Sequence, residues 1–330
     1  MNNQKLVKFT TCKLGNTTTR QPDNLIIITA PVHEIFTETL SNKGIPFLYQ
    51  PGILSEEIKP LLNQATGIVV STHLEVNKSL IDLAPHLQWI GRLGSGMEHI
   101  DVAYAKSKNI NCISSPEGNR NAVAELALGS LLCLLRNIHS SFDEVKHFQW
   151  NRDKNRGTEL SGRTIGIVGY GNTGMAFAKL LQAFDVTLLV YDKYRTNINE
   201  YGAIPTELTE IAERADVISF HLPWNIETQH FANSSFFNSL KKSPILINTS
   251  RGSIVNTASL IEALTHKKVS GAVLDVLENE KLNQLSPTEQ LELELLIQHP
   301  NTIITPHIGG YSFEATYKMS AVLLEKLGLL

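Results

Sequence analysis

From residue 25 onward the chain alternates short, dense apolar runs with longer polar stretches. The first series is LIIIT at 25–29, IPFLY at 45–49, GIVV at 67–70 and LQWIG at 87–91. The second is TIGIVG at 164–169, TLLVYD at 187–192, DVISFHL at 216–222, PILINTS at 244–250, GAVLDV at 271–276 and NTIITPH at 301–307. Runs this apolar are expected of strands covered on both faces, and the spacers are long enough for crossover helices. The pattern therefore predicts an α/β protein with parallel sheets. Between the two series, AVAELALGSLLCLLRNI at 122–138 is apolar nearly all round, which predicts a buried helix packed between domains or subunits. Residues 1–24 are polar, rich in Asn and Thr, and read as an extension or a frayed edge strand.

Pro, Gly and Asn cluster at 116–120, just before that helix. A chain of 330 residues accommodates about two domains. The expected division is a substrate domain from residues 1–117 and 308–330, with a nucleotide domain at 118–307 inserted into it. Small ligands commonly bind in the cleft such an arrangement leaves between lobes.

Composition narrows the chemistry. The chain is 42% hydrophobic and 18% charged, enough for a real core, and Lys plus Arg at 29 against Asp plus Glu at 32 leaves no field to hold a polyanion. Nucleic acid is excluded as an expected partner. Cys12, Cys112 and Cys133 are too scattered for a disulfide framework or a zinc site, so reduced thiols and no metal are expected. The longest apolar stretch, 126–135, is interrupted by Gly129 and Ser130 and is about half the length a bilayer requires. The run LIIITA at 25–30 is shorter than a signal-peptide core. A soluble, cytoplasmic protein without a membrane partner is the expectation.

GYGNTG at 169–174 fits the GxGxxG pattern, which is weak alone. Here an apolar run precedes it and the periodic MAFAKLLQAF follows, the strand–turn–helix setting in which the pattern has a mechanism. Gly169 permits the tight turn, Gly171 lets the backbone approach a pyrophosphate, and Gly174 lets helix and strand pack closely. The free N–H groups at the helix start then face the anion. Asp192 ends the next run 18 residues after Gly174, close to the roughly 20 expected of an acid that accepts from the adenosine ribose. A carboxylate there repels a 2′-phosphate, favouring NAD over NADP, although Lys193 and Arg195 stand just behind it.

Polar groups also follow three more apolar runs: Arg251, Asp275 with Glu280, and His307. Strand ends line the ligand crevice of an open α/β sheet. At these residues the sequence resembles the D-isomer-specific 2-hydroxyacid dehydrogenase family, from about residue 25 to the end. The resemblance rests on IGRLGSGMEHIDV at 90–102, NAVAELALGSLL at 121–132, the GYGNTG loop, INTSRGSIVN at 247–256, GAVLDVLENE at 271–280 and TPHIGG at 305–310. It implies two doubly wound parallel-sheet domains, a Rossmann NAD-binding domain inserted into a flavodoxin-like substrate domain, and a catalytic group of Arg251, Glu280 and His307. It implies cofactor contacts from Asn172, Thr173, His221, Pro223, Thr228, Thr249, Ser250, Asp275, Gly309 and Gly310 beside the loop glycines and Asp192. It also implies that Ser95 and Gly96, with Arg251, receive the substrate carboxylate.

The chemistry explains these residue types. Reducing a 2-oxo acid needs hydride at C2 and a proton at the developing alkoxide, and of the three groups only His307 exchanges a proton near neutrality. Glu280 would fix its tautomer and favour its charged form. Arg251 offers a planar fork for carboxylate and carbonyl, for which lysine is a poor replacement.

Two departures stand out. Relatives commonly place a proline after the acid, whereas Lys281 follows Glu280 here, and 26 residues separate Glu280 from His307. An outward-looping insertion is expected there, and Glu278 competes with Glu280 for the acid's role. The arginine that phosphoglycerate dehydrogenases commonly place before a THL-like segment is missing ahead of His73, with Arg92 or Arg120 as possible substitutes. No C-terminal regulatory domain, and hence no serine feedback, is expected. Substrates stay open between D-3-phosphoglycerate/3-phosphohydroxypyruvate and a smaller pair of the glyoxylate, hydroxypyruvate or D-lactate type. A homodimer through 122–138 and its flanks is expected. A non-enzymatic NAD(H)-sensing protein, like the corepressors sharing this fold, is the rival class. Formate dehydrogenase is a third reading, disfavoured because it places glutamine at the position of Glu280.

Overall fold

The computed structural model describes residues 25–330, so the reading of residues 1–24 lies outside the described residues. Five parallel strands form one sheet: β1 (Leu25–Ile28), β2 (Phe47–Tyr49), β3 (Ala65–Val70), β4 (Trp89–Arg92) and β5 (Asn111–Ser114), in the order β2-β1-β3-β4-β5. Seven form the other: β6 (Thr164–Val168), β7 (Thr187–Tyr191), β8 (Ala203–Pro205), β9 (Val217–Phe220), β10 (Ile245–Asn248), β11 (Gly271–Leu274) and β12 (Thr302–Ile304). Their order, β12-β11-β10-β9-β6-β7-β8, reverses direction at β6, where the ends of β6 and β9 leave a crevice. These are the flavodoxin-like and Rossmann orders.

Alternation explains why the runs are apolar throughout. Ile27 faces a core with Ile68, Ile90 and Leu80, while its neighbours Ile26 and Ile28 face the opposite core with Phe36, Leu323 and Leu324. In the larger sheet Ile165 and Ile167 pack on Phe177 and Leu131, and Ile218 and Leu246 pack on Phe236 and Leu260 from the other side.

Two strands lacked a sequence signal: β5 is half covered, and β8 is a three-residue edge ending in Pro205. The apolar helix runs Pro116–Leu135, beginning at its N-terminal proline six residues before 122. It carries the chain from one sheet to the other. Gly118 abuts Met319 so closely that a β-carbon there would lie 2.4 Å from the Met319 backbone nitrogen, while Leu131 and Leu134 enter the core of the larger lobe. Asn137 at φ +53° ends it, and Ile138–Lys146 leaves at 61°. Among the described residues no single helix is long and apolar enough to cross a membrane.

The expectation of an outward loop after Glu280 is corrected. The segment is the crossover that a parallel β11–β12 pair requires: the capped helix Pro287–Gln298 buries Leu296 in the core with Leu260 and Leu264.

Candidate active site

The carboxyl ends of β6, β9, β10 and β11 and the loop after β12 bring the implied residues to one crevice, and the loop after β4 faces it from the smaller lobe. Gly169 takes φ +95°, and a β-carbon on Gly174 would lie 2.2 Å from the Gly169 carbonyl oxygen, so both glycines are dictated by backbone geometry. Gly171 differs: nothing lies within 4 Å of a β-carbon placed there, so its flank is open space above the start of the Asn172–Leu181 helix. That open cradle, facing free helix N–H groups, fits a pyrophosphate.

Asp192 accepts from the backbone N–H of Tyr170 at 2.7 Å, Tyr194 at 2.9 Å and Arg195 at 3.0 Å. It therefore welds the phosphate turn to the end of β7, a structural duty the sequence did not reveal. Lys193 pairs with Glu227 at 2.6 Å, and Arg195 pairs with Glu200 and lies over the Tyr170 ring. Both cations behind Asp192 are thus engaged by carboxylates. Thr173 Oγ1 lies 3.2 Å from Nδ1 of His221, whose Nε2 lies 2.9 Å from Ser219 Oγ. Burial pushes the imidazole of His221 down to about 4, so it is neutral at physiological pH. Thr228 Oγ1 donates to the Pro223 carbonyl at 2.7 Å, closing the turn after β9.

Asn248, fully buried at the end of β10, shapes the next turn. Its Oδ1 receives the Ser250 N–H and hydroxyl, and its Nδ2 donates to the Arg251 carbonyl at 2.9 Å. Thr249 Oγ1 is buried without a partner among the described residues. A β-carbon on Gly252 would lie 1.9 Å from the Leu277 carbonyl, so the Arg251 turn presses directly on the segment leading to Glu280.

Asp275, 1% exposed, pins the loop that carries the histidine. It accepts from Thr305 Oγ1 at 2.5 Å and from the N–H groups of Ile308 at 2.9 Å and Gly309 at 2.7 Å. His307 sits on that loop at φ +54°, a conformation costing roughly 1–2 kcal/mol for a non-glycine residue. Gly310 lies against Asn119. Glu280 Oε2 lies 2.9 Å from His307 Nδ1. Glu278 turns elsewhere, to His230 Nε2 at 2.5 Å and the Thr257 N–H at 2.6 Å. Geometry thus brings Glu280, and not Glu278, to the imidazole. The hydrogen bond that His307 donates to Glu280 raises its pKa above its ordinary 6.5; burial and the Arg251 charge oppose this, and the charges of Glu280 and Asp275 support it.

Arg251 reaches across the crevice to Glu98 of the smaller lobe, and Gly96 packs beside both groups. Ser95 is exposed next to them. Of the substitutes considered for a second cation, Arg92 is 7% exposed and folds back onto the Leu93 carbonyl, and Arg120 is exposed. Burial, then the Arg251 charge, lowers the Arg92 pKa to about 10.

Residues 128–309 match the family model described as D-isomer specific 2-hydroxyacid dehydrogenase, NAD binding domain. The chain belongs to this family. Its members are oxidoreductases that use NAD. Over 300 residues the chain is 31% identical to a hydroxypyruvate reductase of Thermotoga maritima, covering 90% of this chain and 95% of that protein. It is 31% identical over 305 residues to D-3-phosphoglycerate dehydrogenase of Methanocaldococcus jannaschii, covering 92% of this chain but 56% of that longer protein. The fold resembles D-lactate dehydrogenase from Aquifex aeolicus, solved with NAD and lactic acid, at a TM-score of 0.80 and 28% identity over 92% of this chain and 94% of that one.

Proposed function

We propose that the protein reduces a small 2-oxo acid to its D-2-hydroxy acid with NADH, using Arg251, Glu280 and His307. The single observation that carries this reading is the convergence of an engaged imidazole–carboxylate pair and a guanidinium at the open end of a dinucleotide crevice. Gly169, Gly171, Asn172, Thr173 and Gly174 would hold the pyrophosphate and Asp192 the adenosine ribose, with Thr249, Asp275 and Gly309 toward the nicotinamide. Bound NADH would supply a hydride. Glu280 accepts from Nδ1 of His307 and so leaves Nε2 as the atom that delivers the proton to the alkoxide in reduction and removes it in oxidation. Arg251 and the Gly96 backbone would hold the carboxylate and polarise the carbonyl.

Arg251 is paired with Glu98 and Arg92 is folded back onto the Leu93 carbonyl, so the two offer less free cationic surface than a phosphorylated acid requires. That supports a monoanionic acid such as glyoxylate, hydroxypyruvate or pyruvate over phosphohydroxypyruvate. The test is NADH oxidation across those four acids. Highest kcat/KM on phosphohydroxypyruvate would reverse the substrate order, and no turnover on any would favour the NAD(H)-sensing reading.

Lobe limits near 117/118 and 307/308 are part of this reading, supported by Leu323 packing near Gly91 of the five-stranded sheet and by all seven strands of the larger sheet falling within 164–304. A homodimer is proposed through the flank of the long helix, where Ile138, Phe142, Val145, Phe148 and Trp150 are exposed together. The helix itself is inward-facing, so the flank rather than 122–135 would make the contact. Sedimentation of the purified protein tests this. The free thiols of Cys112 and Cys133 and the use of NAD support a cytoplasmic location, testable by cell fractionation.

A further inference from the structure

Glu98 lies within a loop of the smaller lobe, and its carboxylate meets the guanidinium of Arg251 side-on. Nε of Arg251 donates to Oε1 at 2.8 Å and Nη2 to Oε2 at 3.3 Å, across 153 positions of sequence. Nη1 donates to the Ser250 carbonyl at 2.6 Å. Both side chains are about three-quarters covered, at 28% and 24% exposure. A guanidinium has five N–H donors. With three of them engaged, one on Nη1 and one on Nη2 remain, side by side at the end of the fork. That pair is the geometry that grips a carboxylate or a carboxylate and carbonyl together.

We infer that Glu98 is a positioning residue: it clamps the side edge of Arg251 from the opposite lobe so that the terminal N–H pair is aimed at the 2-oxo acid. The inference rests on the reductase reading above and extends it to a residue outside the implied catalytic group. Gly96 belongs to the same device. A β-carbon there would lie 1.8 Å from Arg251 Nη2 and 2.1 Å from Glu98 Oε2, so any other residue would displace the pair from its seat against the loop. Because the clamp spans the crevice, its formation ties the orientation of Arg251 to the approach of the two lobes. The Glu98 charge also acts on the buried Arg92, whose charged form it favours while the Arg251 charge opposes it.

The test compares wild type with Glu98→Gln and Glu98→Asp. Steady-state reduction of the best of the four oxo acids is measured together with binding of oxamate, an unreactive 2-oxo acid mimic, to the NADH complex by nucleotide fluorescence. Glu98→Gln is expected to lower kcat/KM for the oxo acid at least about tenfold and weaken oxamate about as much, while the KM for NADH stays within about twofold. Glu98→Asp keeps the charge and is expected to recover part of the loss; it carries the test if the glutamine variant does not fold. Unchanged kcat/KM and oxamate affinity in both variants would overturn the inference alone. So would tighter oxamate binding, which would mean that Glu98 competes with substrate for the fork. A wild-type protein that turns over none of the acids and does not bind oxamate would overturn the reductase reading, and this inference with it.

Discussion

Glu280 and His307, 27 positions apart in sequence, are joined by a 2.9 Å hydrogen bond between Oε2 and Nδ1, with His307 held in a left-handed backbone conformation. The bond favours the imidazolium, so the raised pKa keeps His307 protonated to a pH above 6.5. Reduction needs the protonated form, so its rate should be highest below that pKa and fall as pH rises through it; oxidation should show the opposite limb. In Glu280→Gln the alkaline limb of reduction is expected to move to lower pH, with turnover at pH 8 reduced on the order of tenfold or more. pH–rate profiles of the two proteins check this. Coincident profiles would remove Glu280 from its assigned role.

Arg251→Lys keeps the charge and loses the fork. About a hundredfold lower kcat/KM for the oxo acid is expected, with NADH affinity unchanged. Equal loss for both substrates would instead indicate general damage to the crevice.

Cofactor choice follows from the ring of engaged charges around Asp192. Lys193 is held by Glu227 and Arg195 by Glu200, so a 2′-phosphate would meet a carboxylate flanked by two cations already engaged. NADH should be preferred over NADPH by at least about tenfold in kcat/KM, a difference of about 1.4 kcal/mol. Equal use of both would contradict it. Asp192→Ala should narrow the ratio and also lower thermal stability, because three backbone N–H groups lose their acceptor.

His221 makes stability pH-dependent. Its folded pKa of about 4 lies below the ordinary 6.5, so the unfolded chain binds the proton first. The stabilisation is fully present above about pH 6.5 and is lost as pH falls toward 4. Between pH 8 and pH 5 it should diminish on the order of 2 kcal/mol. Urea unfolding of wild type and His221→Gln at both pH values tests this: the variant should lose less, and parallel losses would rule His221 out as the source.

Much of this architecture was legible because parallel strands covered on both faces write themselves as unbroken apolar runs, as at 164–168 and 245–248. The edges were not: β8 buries only Ala203, and β5 is half covered, so neither leaves a run. The helix Pro287–Gln298 was hidden because it rests mainly on Leu296 and carries little apolar periodicity beyond it. At the site, strand-end position and family motifs pointed to Arg251, Glu280 and His307. They were silent on Asn248, on the hydrogen bonds by which Asp275 pins the His307 loop, and on Glu98, a loop carboxylate whose partner comes from the other lobe. The motif spacing pointed to Glu280 with Glu278 as a competitor; the contact of Glu278 with His230 and of Glu280 with His307 separates them.

The most direct test of the shared catalytic site is NADH oxidation at 340 nm by wild type, Arg251→Ala and His307→Ala, with NADH binding measured by fluorescence in the same samples. Wild type should reduce at least one of glyoxylate, hydroxypyruvate and pyruvate, giving the D-hydroxy acid from the latter two. Each variant should bind NADH nearly as tightly and turn over about a hundredfold or more slowly. Turnover within a few-fold of wild type in either variant would contradict the proposal that guanidinium and imidazole act on one substrate.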